Sequence, residues 1–339
     1  MAAPQPDPGA GTLIPSHAPA FLAAHGWAGA AIAPLADDAS FRRYFRVRDD
    51  GRVAVLMDAP PPHEDVRPFV RIARHLDAIG LSAPRVLAED VAGGLLLLED
   101  FGDALVGPLL RGGGGDEAAI YRDAVALLAA LGEEAPPARV DAYDRATLDR
   151  EVDLFADWYA PACGLVVDRA GWRAAWNEAL DAVAAPADPV LVLRDFHVDN
   201  IMLLDRPGDA RLGLLDFQDA LLGHRAYDLV SLLQDARRDV GEALEAAMIE
   251  RYLAAAGIAD AARFRADYAT LGAQRNVKIL GIFTRLWKRD GKPGYLKHQP
   301  RVWRYLERDL AHPALEAVAA WFNANVPAQA RAAAWDGHA

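Results

Sequence analysis

The stretch that decides the fold runs Leu193-Arg194-Asp195-Phe196-His197-Val198-Asp199-Asn200. It continues through the apolar run Ile201–Leu204, the turn residues Asp205-Arg206-Pro207-Gly208-Asp209, a second run Arg211–Leu215, and Asp216-Phe217-Gln218-Asp219. Two apolar strands around one turn make a β-hairpin, and its open end brings the residue before the first strand to within about 5 Å of the residue after the second. Asn200 and Asp216 are therefore expected to be neighbours. An amide oxygen beside a carboxylate offers two hard oxygens, a set that suits Mg²⁺ held mostly by substrate phosphates. Asp195, five residues before Asn200, sits in a loop that can aim a second carboxylate at the same space and accept a hydroxyl proton. Taken singly, an Asp or Asn beside a strand more often caps a turn; three in one register point to chemistry. His197 is expected to pack or hydrogen-bond locally rather than to titrate.

Upstream, Ala30–Leu35, Phe41–Arg48 and Val53–Asp58 read as an antiparallel meander, broken by Asp37-Asp38-Ala39-Ser40 and Asp49-Asp50-Gly51. A helix over 64–79 carries Phe69, Ile72, Ala73, Leu76 and Ile79 at helical spacing and stops at Gly80. Strands at Arg85–Ala88 and Leu95–Glu99 complete a five-stranded lobe. Helices are expected over about 120–131, 147–159, 169–184, 226–235, 242–256, 262–289, 298–309 and 314–324, with Gly112–Gly115 a flexible connection. The predicted fold is α+β and two-lobed: residues 1–19 a disordered lead-in, 20–99 a small antiparallel β lobe with one helix, and 100–339 a larger, mainly helical lobe, with a cleft between the lobes.

With 36 Lys and Arg against 48 Asp and Glu, the net charge of −12 disfavours nucleic acid and anionic lipid as partners. The single Cys163, the absence of a leader pattern and the lack of any run near 20 apolar residues predict a cytoplasmic protein that spans no membrane. Nothing in the sequence calls for an obligate protein partner.

The loop and hairpin resemble the catalytic core of protein kinases, whose His-Arg-Asp…Asn and Asp-Phe-Gly motifs stand here as Leu193-Arg194-Asp195…Asn200 and Asp216-Phe217-Gln218. Only twelve positions separate Asp216 from Asp228 and no Ala-Pro-Glu follows, so a peptide-docking segment has no room and a small acceptor is expected. Asp228 reads as an N-cap or a buried brace for the catalytic loop, with Arg194 in support. From about residue 20 the chain is similar to the aminoglycoside phosphotransferase and choline kinase-like family. Four stretches point within it to a bacterial branch acting on the anomeric hydroxyl of cell-wall amino sugars: Ala39-Ser40-Phe41-Arg42-Arg43-Tyr44-Phe45-Arg46, Met57-Asp58-Ala59-Pro60-Pro61, Arg67-Pro68-Phe69 and Asn276-Val277-Lys278-Ile279-Leu280-Gly281-Ile282-Phe283-Thr284-Arg285-Leu286.

The resemblance implies ATP and Mg²⁺, Asp195 as base, Asn200 and Asp216 as metal ligands, and an adenine edge on the Leu98-Glu99-Asp100 backbone. It implies an amino sugar as acceptor and an α-1-phosphate as product in peptidoglycan recycling; other hydroxylated acceptors (an aminoglycoside, choline or homoserine) and a nucleotide-binding pseudokinase are the competing readings. Two departures stand out. The Gly-rich loop is missing, and so are both the strand-three Lys and its helix Glu, since Val53–Asp58 has no base and 69–79 no Glu. Strand alternation places Arg43 with Phe41, Phe45 and Val47 on the apolar side, read as cleft-facing, and nominates Arg43, with Ser40 and Phe41, for the phosphates. Between Arg275 and Arg304 nine Lys or Arg face one acid, Asp290. Lys278, Arg285 and Lys288 are nominated from this stretch as an acceptor wall, with a plain solvated helix face the alternative.

Overall fold

The computed structural model describes residues 13–37 and 41–331. In chain order the first elements are α1 (Ala18–Ala24), β1 (Ala31–Asp37), β2 (Arg43–Asp49), β3 (Arg52–Asp58), α2 (Val66–Ala78), β4 (Val86–Asp90), β5 (Leu95–Glu99) and α3 (Val106–Arg111). Then come α4 (Glu117–Leu131), α5 (Arg145–Leu154), a π-helical turn Phe155–Tyr159 leading into α6 (Ala160–Ala162), α7 (Arg169–Ala184), β6 (Val190–Val192), β7 (Ile201–Leu203), β8 (Leu212–Leu214) and β9 (Leu221–Gly223). The rest is helical: α8 (Ala226–Leu233), α9 (Glu242–Ala255), α10 (Ala261–Asp290), α11 (Gln299–Leu310) and α12 (Glu316–Asn325). The expected five strands and nine helices are all present, most within two residues of their predicted ends. Contacts divide the chain into two compact units: described residues up to Gly114 with Asp199–Asp219, and Gly115–Val198 with Ala220 onward.

In the first unit the sheet has the order β1-β2-β3-β5-β4, every neighbouring pair antiparallel. Phe45, Val47, Ala54, Leu56, Leu95 and Leu97 share one face and bury it against Ala18, Phe21 and Leu22 of α1 and against Trp27. Period-2 alternation builds that face, and a seven-residue helix covers it. α1 begins inside the stretch read as lead-in, so the lead-in ends before Ala18; residues 1–12 lie outside the described residues. The β7–β8 hairpin, with Ile201 opposite Leu214, belongs to the same unit and is tied to it by Leu203 N–H to Ala104 O at 2.8 Å and Leu214 N–H to Ser82 O at 2.7 Å.

The second unit is organised on α10, a 30-residue helix buried along most of its length. Its N-cap is Asp260, whose carboxylate accepts from Arg263 N, and Gly291 ends it in a left-handed conformation. Gly281 sets its distance from α5, because a Cβ there would lie 2.4 Å from the backbone carbon of Leu154. An aromatic core of Phe155, Tyr159, Trp172, Trp303 and Phe322 packs edge-to-face beneath it. Trp303 and Tyr305 are both buried in this core.

Candidate active site

In the first unit the hairpin delivers the expected pair. Leu215 N–H donates to Asn200 O at 3.0 Å, which closes the open end and holds Asn200 Nδ2 3.5 Å from Asp216 Oδ2. Asp216 has φ +58, a left-handed backbone uncommon outside glycine, so its carboxylate is turned off the strand direction. Gln218 Nε2 donates to Asp216 Oδ1 at 2.7 Å. Phe217 is fully buried and packs its ring 4.9 Å from Phe69 of α2, anchoring the turn from within. The Asn200 amide nitrogen faces the carboxylate; turned over, the amide would set its oxygen beside Asp216, and the pair would then offer two hard oxygens to a small divalent cation.

Arg42, just before β2, points toward this pair. Its guanidinium lies 3.6 Å from Glu64 and 4.0 Å from Asp219, with a side chain only 10% exposed. Burial works against its charge, while Tyr44, Glu64, Asp216 and Asp219 sustain it and leave the pKa raised. Arg43 is elsewhere: Nε donates to Asp58 Oδ2 at 2.8 Å, and Asp58 is 1% exposed. The alternation of β2 holds, but the apolar face carrying Phe45 and Val47 is the one α1 covers, which corrects the placement of Arg43 on a cleft-facing side. The Arg42–Glu64 ion pair is one that the sequence reading overlooked, because Glu64 precedes α2 instead of lying within it. Phe41 N–H donates to Glu64 Oε1 at 3.3 Å and its ring stacks on His63 at 4.8 Å; Ser40 lies outside the described residues. On the connector, Leu98 is buried, Glu99 pairs with Arg85 and Arg206, Glu99 N–H donates to Arg85 O at 2.9 Å, and Asp100 pairs with Arg46 at 2.6 Å.

In the second unit Asp195 occupies a tight loop in which its N–H donates to Leu193 O at 2.9 Å and its carbonyl accepts from His197 N at 3.1 Å. Arg194 has φ +71, a second left-handed residue that is not glycine. Asp228 is the brace, not an N-cap: it lies inside α8, 4% exposed, and accepts from Leu193 N at 2.6 Å and Arg194 N at 2.8 Å. Burial pushes its carboxyl up to about 7, against the pull of those two N–H groups. Burial raises the Asp195 carboxyl too, but the charges of Lys278, Arg275 and Arg194 overcome that and lower it. His197 is 3% exposed, with Nε2 3.2 Å from Arg237 Nη1. An arginine can only donate, so Nε2 accepts and the ring is neutral. Burial and the Arg237 charge bring it down to about 3, in line with a packing role.

A residue that the sequence reading passed over organises this loop. Glu151 of α5, 8% exposed, accepts from Arg194 at 2.6 Å, Lys278 at 3.2 Å, Gln274 at 2.8 Å and the Tyr143 hydroxyl. Burial pushes it up, yet Lys278 and Arg194 with the Tyr143 and Gln274 hydrogen bonds bring it down to about 2. No local motif marks a lone Glu in a polar helix, 43 residues before Arg194. The proposed acceptor wall divides: Lys278 is 8% exposed and also donates to Tyr227 at 2.8 Å, Arg285 is half-buried, and Lys288 is exposed with its ammonium over the Trp287 ring. A solvated face does not describe the part of α10 that carries Arg275 and Lys278.

An antiparallel β unit, an Asp in a braced loop and an Asn–Asp pair at a hairpin mouth define the class of kinase-like phosphotransferases, and solved structures carry the same fold. The GDP complex of wild-type aminoglycoside 2'-phosphotransferase-IIIa superposes with TM-score 0.58 at 16% identity over 87% of this chain and 98% of that one. The complex of LicA with AMP gives 0.53 at 11% identity over 90% and 97%. The family model described as "Phosphotransferase enzyme family" matches residues 31–268, and the chain belongs to that family. Among its relatives, the N-acetylmuramate/N-acetylglucosamine kinase of Caulobacter vibrioides is 40% identical over 92% of this chain and 96% of its own length. The kinase of the same name from Pseudomonas aeruginosa is 40% identical over 86% and 88%.

Proposed function

We propose that this protein transfers the γ-phosphoryl group of ATP to the anomeric hydroxyl of N-acetylmuramate or N-acetylglucosamine, giving the 1-phosphate in wall-sugar recycling. Two relatives of that name at 40% identity over nearly the whole chain support the acceptor, and the 3.5 Å contact of Asn200 with Asp216 carries the reaction type. Asn200 and Asp216 fit Mg²⁺ as an amide oxygen and a carboxylate, and the ion, when bound, neutralises charge on the phosphates. Asp195 receives the hydroxyl proton as the sugar oxygen forms its bond to phosphorus, and ADP leaves with the electrons of the broken bond. The lowered Asp195 carboxyl keeps it ionised and ready to accept. Arg42 takes the phosphate-holding part first assigned to Arg43, with Glu64 orienting it, since a guanidinium grips phosphate oxygens in pairs. The cationic surroundings of Asp195 are ill suited to cationic acceptors such as choline or aminoglycosides.

The test is incubation of the protein with ATP, Mg²⁺ and a panel of amino sugars, followed by location of the phosphate by ³¹P NMR. An anomeric doublet is expected. Phosphate on a 6-hydroxyl, or on none of the sugars, sinks the assignment.

A further inference from the structure

Gln274, Asn276 and Lys278 of α10 each donate to another element, although Gln274 Oε1 and Asn276 Oδ1 are buried without a partner among the described residues. Gln274 donates to Glu151, Asn276 to Gln234 at 2.7 Å and to Asp309 at 3.1 Å, and Lys278 to Glu151 and Tyr227. Arg275 is 3% exposed, and its Nη1 is buried with no hydrogen-bond partner among the described residues. A guanidinium N–H held away from water without an acceptor is costly, and an anion that arrives with a ligand would supply one. Arg275 lies within electrostatic reach of Asp195, His197 and Asp228, and its α10 neighbours Gln274 and Lys278 hold the Glu151 that grips Arg194 of the same loop. The acids of this loop are otherwise engaged: Glu151 by Arg194 and Lys278, Asp228 by two backbone N–H groups.

We propose that Arg275 is the anchor for a carboxylate on the acceptor, so that the preferred substrate is the acid-bearing amino sugar and the neutral one is the poorer. The inference rests on the kinase reading above and adds the substrate class of its acceptor side. A carboxylate accepts two parallel N–H bonds from one guanidinium, whereas a hydroxyl or acetamide in its place leaves that group unpaired.

The experiment compares full-length wild type with Arg275→Gln and Arg275→Lys on N-acetylmuramate, its methyl ester and N-acetylglucosamine. In wild type, kcat/KM for the acid is expected to exceed that for the ester. In Arg275→Gln the ratio of kcat/KM for N-acetylmuramate to that for N-acetylglucosamine falls roughly 30-fold, and Arg275→Lys recovers part of the loss. Thermal melts check that Arg275→Gln is folded, and the ratio between substrates within one variant reads the anchor independently of its stability. Equal losses on all three sugars, or an unchanged ratio, overturn the proposal. If wild type phosphorylates N-acetylglucosamine but refuses N-acetylmuramate, the anchor falls and the kinase reading stands. If no sugar is phosphorylated, the kinase reading falls, and calorimetric titration of N-acetylmuramate into wild type and Arg275→Gln decides the anchor alone: weaker binding by the variant supports it, equal or absent binding ends it.

Discussion

Asp216 and Asp195 carry the same side chain in two unlike settings. Asp216 stands at the mouth of a hairpin among Asn200, Gln218 and the nearby Arg42, and its position follows from a two-strand register that spans sixteen residues. Asp195 stands in a field of Lys278, Arg275, His197 and Arg194, drawn from its own loop and from α10, with Glu151 of α5 and Asp228 of α8 holding that field in place. The half proposed to bind the cation is a local construction, and the half proposed to accept the proton depends on contacts made across long stretches of chain. Damage to the two should therefore read out differently.

The largest separation comes from the aspartates themselves. Asp195→Asn should lower turnover by roughly three to four orders of magnitude while nucleotide affinity, measured by calorimetry, stays near wild type. Asp216→Asn should lower turnover and also raise the Mg²⁺ concentration needed for half-maximal rate. Similar Mg²⁺ curves for both variants would erase the contrast.

Next is the support of the loop. Glu151→Ala leaves Arg194 and Lys278 buried without their carboxylate, and a loss of about 3–5 kcal/mol is expected in chemical denaturation. A loss under about 1 kcal/mol would mean that the loop holds its shape without Glu151.

A smaller effect sharpens the comparison in the first unit. Arg42→Ala should weaken ATP binding about ten- to hundredfold at near wild-type stability. Arg43→Ala should do the reverse, since it strands the buried Asp58. Swapped phenotypes would return the phosphate role to Arg43.

The smallest is a pH slope. The Asp228 carboxyl, pushed up to about 7 from an ordinary 3.8, binds a proton in the folded state that the unfolded chain has released. Stability from this group is thus complete below about pH 4 and is lost progressively as pH rises to about 7. Asp228→Asn should flatten that slope in thermal melts between pH 5 and 8. An unchanged slope would assign it to other groups.

The hairpin, the five strands and the long helices were legible because each is written in contiguous residues: alternation in Phe45 and Val47, helical spacing in Phe69, Ile72 and Leu76, turn chemistry at Pro207-Gly208. What escaped depends on partners distant in sequence. Alternation groups Arg43 with Phe45 but says nothing of which face α1 will cover, so which of Arg42 and Arg43 lies near Asp216 is decided only once Phe21 and Leu22 are in place. Glu151 takes its meaning from Lys278, 127 residues away, and Glu64 from a strand that begins 21 residues before it. Those relations exist only in the folded chain.

The missing methyl at Gly281 has a reach beyond its own contact. It lets α10 rest on the backbone of α5 at Leu154, three residues from Glu151, so the spacing between the helix that bears Lys278 and the helix that bears its carboxylate is fixed by main chain touching main chain. The electrostatics of the reacting loop are in that sense calibrated by a steric vacancy that carries no charge and no hydrogen bond. A drift in core packing at this crossing would detune the chemistry while every reacting group remained present.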